Sequence, residues 1–143
     1  MKRPSGFTLI ELLVVIAIIA VLSVIGLVSF TGASKKSRDG KREADLSQVR
    51  SALELYKAEK NTYPVYAGQT SGAYTSATNA LQIAGYLTPP IPVDPKNASP
   101  YQYTYASAGN TYCVCAQLEN VGSGNSTGGC NTTPGNYYCV VQP

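Results

Sequence analysis

Residues 7–30 read FTLIELLVVIAIIAVLSVIGLVSF, an apolar run with one charge in it, Glu11. As a helix the run rises about 36 Å, more than the roughly 30 Å of a hydrocarbon core. Its many Val and Ile residues do not oppose a helix, because in lipid every backbone polar group must find its partner inside the segment. A polar continuation with helical periodicity and a strand-rich C-terminal part follow. The expected fold class is therefore α+β: a long N-terminal helix, membrane-spanning in its first half, packed on a small antiparallel sheet domain.

Upstream, only MKRPSG precedes the run, and Gly6 stands at the polar–apolar junction. Glu11 lies about one turn inside, where an ionised side chain costs roughly 2.5–3.5 kcal/mol on insertion scales. A carboxylate at that depth needs a partner. A cut between Gly6 and Phe7 would create one, a free amine four residues away on the same helix face. A signal-peptidase cut after Ala33 is the competing reading. It would start the mature chain at Ser34, but the apolar run is longer than an ordinary signal core, and Glu11 is foreign to such a core.

Gly6-Phe7-Thr8-Leu9-Ile10-Glu11, followed at once by Leu12-Leu13-Val14-Val15-Ile16-Ala17-Ile18-Ile19-Ala20, resembles the cleavage and methylation signature of type IV pilins and pseudopilins. The resemblance implies a pilin-like fold, a prepilin peptidase cutting after Gly6 and methylation of the new Phe7 amine. It also implies that Glu11 sets subunit register during assembly. The partners it implies are an assembly ATPase, a platform protein, other pilins and further copies of the chain. Before assembly the precursor would be a single-pass protein of the cytoplasmic (inner) membrane with its N-terminus in the cytoplasm; afterwards it would lie in a pilus or an envelope filament.

Downstream, Leu46, Val49, Leu53 and Tyr56 recur at helical spacing, widened by Ala52. Lys41–Asp45 and Arg50–Glu54 are spaced for i,i+4 pairs. Asn61 and Tyr63-Pro64 supply the stop. A helix from Thr8 to Lys60 would rise on the order of 80 Å, too long for so small a domain to bury. Gly26, Gly32 and Gly40 within it each cost about 1 kcal/mol against alanine, and are read as sites of close packing or tolerated flexibility. The chain thus divides into a leader at 1–6, a membrane and filament-core helix at 7–30, an amphipathic half at 31–60 and a globular domain at 61–143.

That domain is rich in Gly, Ser, Thr, Asn and Tyr. A short helix is expected at Asn79–Ala84, closed by Gly85, then an irregular connection through Pro89, Pro90, Pro92 and Pro95. Strands are expected at Tyr101–Tyr105, Tyr112–Leu118 and Tyr137–Val141. Eleven tyrosines against two phenylalanines suit strands with a wet edge. Ile91-Pro92-Val93-Asp94-Pro95 with Tyr101-Gln102-Tyr103 resembles the major pseudopilin of type II secretion. Members of that subfamily bind calcium in a late loop. The domain's two acids, Asp94 and Glu119, are too few for that ion, and Asp94 reads as a turn initiator.

Cys113, Cys115, Cys130 and Cys139 all fall late, in the part expected to be exported, and argue for two disulfides. Cys113 and Cys115, at i and i+2 of one strand, are badly placed to bond each other, so each pairs with Cys130 or Cys139, in either order. Zinc fits the spacing poorly, since the usual C-x2–4-C pairs are lacking. No metal and no cofactor are expected. The acceptor patterns at Asn97, Asn125 and Asn131 carry no assigned function.

Charged residues make up 13% of the chain, about half the usual share. Five of the basic ones crowd between Lys35 and Arg42, read as a flank on the cytoplasmic side or facing anionic headgroups. After Lys60 the only charges are Asp94, Lys96 and Glu119, so the basic stripe with interleaved aromatics that nucleic-acid binding wants is absent, and no direct nucleic-acid binding is expected. There is no histidine, and no convergent set of acids is visible, so the chain is not expected to be an enzyme. The leading reading is a structural subunit of a type IV pilus or related filament. The alternative is a pseudopilin of a type II secretion or DNA-uptake machine, and a third is a membrane-anchored exported binding protein.

Overall fold

The computed structural model describes residues 6–126, 130 and 134–142. The leader residues 1–5, the tip of the glycine-rich loop at 127–129, the Asn131-Thr132-Thr133 pattern and the surroundings of Gly26 lie outside the description.

Two compact units are present, Met1–Lys35 and Lys36–Pro143. Helix α1 (Leu9–Lys60) supplies the regular structure of the first and the opening element of the second. Helical backbone carries through Gly26, Gly32 and Gly40. A Cβ built at Gly32 or Gly40 would meet nothing within 4 Å, so no neighbour in this chain requires glycine there.

The second unit is built on the stripe read from the sequence. Leu46, Val49, Ala52 and Leu53 are buried, and Tyr56 packs at their margin. They share one core with the inner face of a four-stranded antiparallel sheet, ordered β1 (Tyr66–Thr70), β2 (Thr104–Ser107), β3 (Tyr112–Gln117) and β4 (Tyr137–Val141). Val114 lies opposite Val140 and Ala116 opposite Tyr138 on that face. Cys113, Cys115 and Gln117 alternate to the other, as a strand's period of two dictates.

Several expected boundaries shift. The second helix, α2 (Ser71–Ile83), starts eight residues before Asn79. Thr70 caps it by accepting a hydrogen bond from the Ala73 N–H, and Ala73, Tyr74, Ala77, Thr78 and Leu81 face the core. Strand β2 begins at Thr104 rather than Tyr101. Asn97 has positive φ, and Ala98 and Tyr101 form an isolated bridge, so the chain is still turning where the tyrosine alternation suggested a ladder. Strand β1 was not expected. Gly68, at φ +84°, sits in a register shift against β2, and this irregularity breaks the alternation that would have announced a strand.

Six of the eleven tyrosines are half-buried, as a wet edge requires, but the other five are not. Tyr63, Tyr74, Tyr103, Tyr105 and Tyr112 are buried. Their rings meet edge-on, as in Tyr63–Tyr112 at 4.7 Å between centroids and Tyr74–Tyr103 at 5.3 Å. Their hydroxyls reach acceptors: Tyr63 and Tyr112 donate to Glu54, Tyr103 to Asp45, Tyr74 to the Pro92 carbonyl and Tyr105 to that of Pro64. Glu54 and Asp45 thus face tyrosine, and the expected Arg50–Glu54 and Lys41–Asp45 pairs are not among the ion pairs of the described residues. Among those residues no buried side-chain nitrogen or oxygen lacks a hydrogen bond. Burial drives the Tyr63 hydroxyl's pKa upward, and neighbouring Glu54 adds to it, bringing it to about 12.

The outer edge of β4 is covered by a side chain acting as a strand. Asn125 donates to the Cys139 carbonyl at 2.9 Å and accepts the Cys139 N–H at 2.7 Å. A Cβ at Gly124 would collide with the Tyr137 backbone, so only glycine lets this segment lie close enough. An unpaired edge is thereby closed to other strands.

Candidate functional site

The start of α1 is where the sequence placed its chemistry. Gly6 and Phe7 are exposed and precede the helix. Thr8 is followed three residues later by Glu11, and the two cap each other. The Glu11 carboxylate accepts the Thr8 N–H at 2.8 Å and the Thr8 hydroxyl at 2.7 Å, while the Glu11 N–H lies 3.3 Å from Thr8 Oγ1. This is a capping box, in which two otherwise orphaned donors of the first turn are satisfied reciprocally. The sequence pattern S/T-x-x-E announces it, and Thr8 serves Glu11 where only an amine was expected. The peptide bond between Gly6 and Phe7 thus lies in open, non-helical backbone just ahead of a firmly defined helix start.

Every residue from Gly6 to Ile25 is exposed. A helix apolar on all faces and uncovered by its own chain requires lipid or other helices around it. By length and composition it is sufficient to cross a membrane.

A second constellation was not foreseen. Arg42, a turn beyond Arg38 on the same helix face, is fully buried and gathers three carboxylates. It donates to Asp94 through Nε at 2.6 Å and Nη2 at 3.0 Å, to Asp39 at 2.7 Å and to Glu119 at 3.1 Å. Arg38 holds Glu119 through two nitrogens at 2.6 and 2.7 Å, and Lys96 lies 2.9 Å from the same carboxylate. Asp39 also accepts the backbone N–H groups of Glu119 and Asn120. Three cations thus face three anions. All three charges found after Lys60 are used here, and the cluster ties both loops that carry them to the helix.

The electrostatics follow from that closure. Burial alone would lower the Arg42 pKa, but its hydrogen bonds to Asp94, Glu119 and Asp39 outweigh this and raise it. Glu119 is held well below the usual carboxylate range, first by Arg38 against the opposing effect of burial, with Lys96 and Arg42 adding. Two expectations are corrected. Arg38 and Arg42 turn toward the domain's carboxylates rather than toward headgroups, leaving Lys35, Lys36 and Lys41 exposed. Acids do converge, although each is matched by a cation. Asp94 does start a turn, accepting the Lys96 N–H at 2.8 Å, yet it is also the buried partner of Arg42. The signal available in the sequence was scarcity: two acids alone in a neutral domain, opposite a helix segment dense in arginine.

The four cysteines come together on the sheet face away from the helix. Cys113 is bonded to Cys130, 17 residues on, and Cys115 to Cys139, 24 residues on. Register chooses the second pair, since Cys115 and Cys139 lie directly opposite in the β3–β4 ladder. Cys113 faces Val141 there and takes its partner from the loop.

Comparison with known proteins places the chain in a family. Residues 1–27 match the prokaryotic N-terminal methylation motif, and residues 29–133 match the family of the type II secretion system protein G. The type II secretion system core protein G of Vibrio cholerae is 27% identical over 107 residues, 72% of each chain. That of Aeromonas hydrophila is 33% identical over 63 residues, 44% of each chain. That of Klebsiella pneumoniae is 38% identical over 64 residues, 45% of this chain and 46% of the relative. The matched stretch therefore covers less than half of the Aeromonas and Klebsiella proteins. No solved structure matches.

Proposed function

The chain belongs to the type II secretion system protein G family, within the type IV pilins and pseudopilins, and from that premise we propose that it is the main pseudopilin of a type II secretion machine. In this reading it is a structural, non-enzymatic subunit, the repeating unit of a short periplasmic fibre. The match over residues 29–133 carries the proposal, because it covers the globular domain that distinguishes subfamilies rather than the N-terminal signature that all of them share. It favours secretion over the pilus reading placed first above.

The precursor sits in the inner membrane by residues 7–30. A prepilin peptidase cuts the Gly6–Phe7 bond, which lies exposed ahead of the helix, and methylates the Phe7 amine. The new ammonium is then one residue from Thr8, whose N–H and hydroxyl already orient the Glu11 carboxylate. Glu11 pairs with that ammonium, its own or a neighbour's, because in an apolar surrounding an unpaired charge is expensive. Helices docked in this register bury the apolar surface between Phe7 and Phe30, and an assembly ATPase and a platform protein drive their extraction from the bilayer.

Deleting the gene and scoring secretion and surface fibres together tests the function. Failed export with unchanged surface fibres is the expected result, whereas loss of surface fibres with intact export returns the chain to the pilus class. N-terminal sequencing of the mature chain should read Phe7; Ser34 would mean an ordinary signal peptidase.

A further inference from the structure

The cysteine cluster holds more than two independent staples. The four Sγ atoms all lie within 4.8 Å of one another, and Cys113 Sγ and Cys115 Sγ, which are not bonded together, are 3.7 Å apart. Zinc–thiolate bonds of about 2.3 Å in a tetrahedron place their sulfurs about 3.8 Å from each other. That non-bonded pair already has this spacing, the other non-bonded sulfurs lie no more than about an ångström beyond it, and the two bonded pairs reach it by separating once reduced. Spacing along the sequence argued against a metal, because C-x-C followed by distant single cysteines is not a zinc-ribbon pattern. The fold replaces local spacing with register: β4 delivers Cys139 opposite Cys115, and the loop delivers Cys130 beside Cys113.

We propose that in the reduced chain, before the disulfides close, Cys113, Cys115, Cys130 and Cys139 form a tetrathiolate site for zinc. Metal binding and disulfide closure are then alternative ways of stapling the loop and β4 to β3. On binding, four thiols release four protons and the ion takes four thiolates. On closure, four electrons leave in two S–S bonds to a disulfide-exchange oxidant, and the zinc departs with its charge unchanged. A folding domain so poor in charge thereby has a staple available in both redox states.

The test uses the full-length chain in detergent, with both disulfides reduced by a phosphine and cobalt(II) added as the spectroscopic probe. One equivalent per chain should give the intense visible bands of tetrahedral thiolate cobalt, and zinc should abolish them. The oxidised chain should show none, and the Cys115→Ser chain should show weaker, shifted bands with lower affinity. Far-UV circular dichroism recorded alongside keeps the outcome decisive. A reduced chain that loses its strand signal and regains it with metal supports the site, as does a folded one that develops the bands. A reduced chain that folds and stays colourless overturns the proposal. So does one that remains unfolded with metal, or bands that persist when all four cysteines are serine.

Discussion

Helix α1 carries two regions with the same backbone and opposite fates. Up to Ile25 every described side chain is exposed, although nearly all are apolar, and the one carboxylate is served by its neighbour Thr8. From Asp39 to Leu53 the helix buries a stripe under its own sheet, and Asp39, Arg42 and Asp45 are drawn to partners from distant loops. The two regions share one helical backbone and differ in what covers them. The second region is complete within one chain; the first is complete only in lipid or among copies of itself.

If that contrast is right, a change in the first region should spoil assembly without touching the domain, and a change in the second should do the reverse. Glu11→Gln is the sharpest probe of the first, because glutamine can still cap the helix with Thr8 while removing the charge. Polymer pelleted from cells should fall to background, with the domain's melting temperature unchanged. Unaltered polymerisation would remove the register role.

Arg42→Ala is the counterpart. It leaves Asp94 and Glu119 buried with reduced compensation, and breaking such a pair costs about 3–5 kcal/mol. Urea unfolding of the detergent-solubilised chain should show that loss, and a cost near zero would mean the cluster is ornamental.

A smaller effect comes from acid. The folded pKa of Glu119 lies below its ordinary 4.5, so its contribution is complete above that value. The contribution drains away as pH falls from there toward the lowered value and protons bind the unfolded chain first. Stability measured downward from pH 4.5 should decline less steeply in Glu119→Gln than in the unaltered chain. Equal slopes would assign the acid sensitivity elsewhere. The smallest effect is expected from Thr8→Ala, about 1 kcal/mol of helix-start stability. It should be visible as faster amide exchange at the first turn of α1, with domain unfolding unmoved.

How legible each part was follows from the range of the forces involved. The apolar run, the core stripe at Leu46–Tyr56, strands β3 and β4 and the Gly6–Glu11 signature are local patterns, readable because helical and strand periodicities are properties of a short window. Strand β1 escaped because Gly68 interrupts its alternation, and α2 was shortened because small, polar Ser71–Ala77 gives little hydrophobic signal before the core claims it.

The sequence by itself determined that the chain begins as a membrane-length helix carrying a processing signature, and that an α+β domain with four cysteines follows. Those statements need only composition and spacing. The tertiary structure alone decided which cysteines meet, which acids Arg42 gathers and which tyrosines are inside. Each joins residues far apart in the chain, and strand register and loop closure set their distances, with no trace in any short window. Arg42 and Asp94 stand 52 positions apart and touch at 2.6 Å.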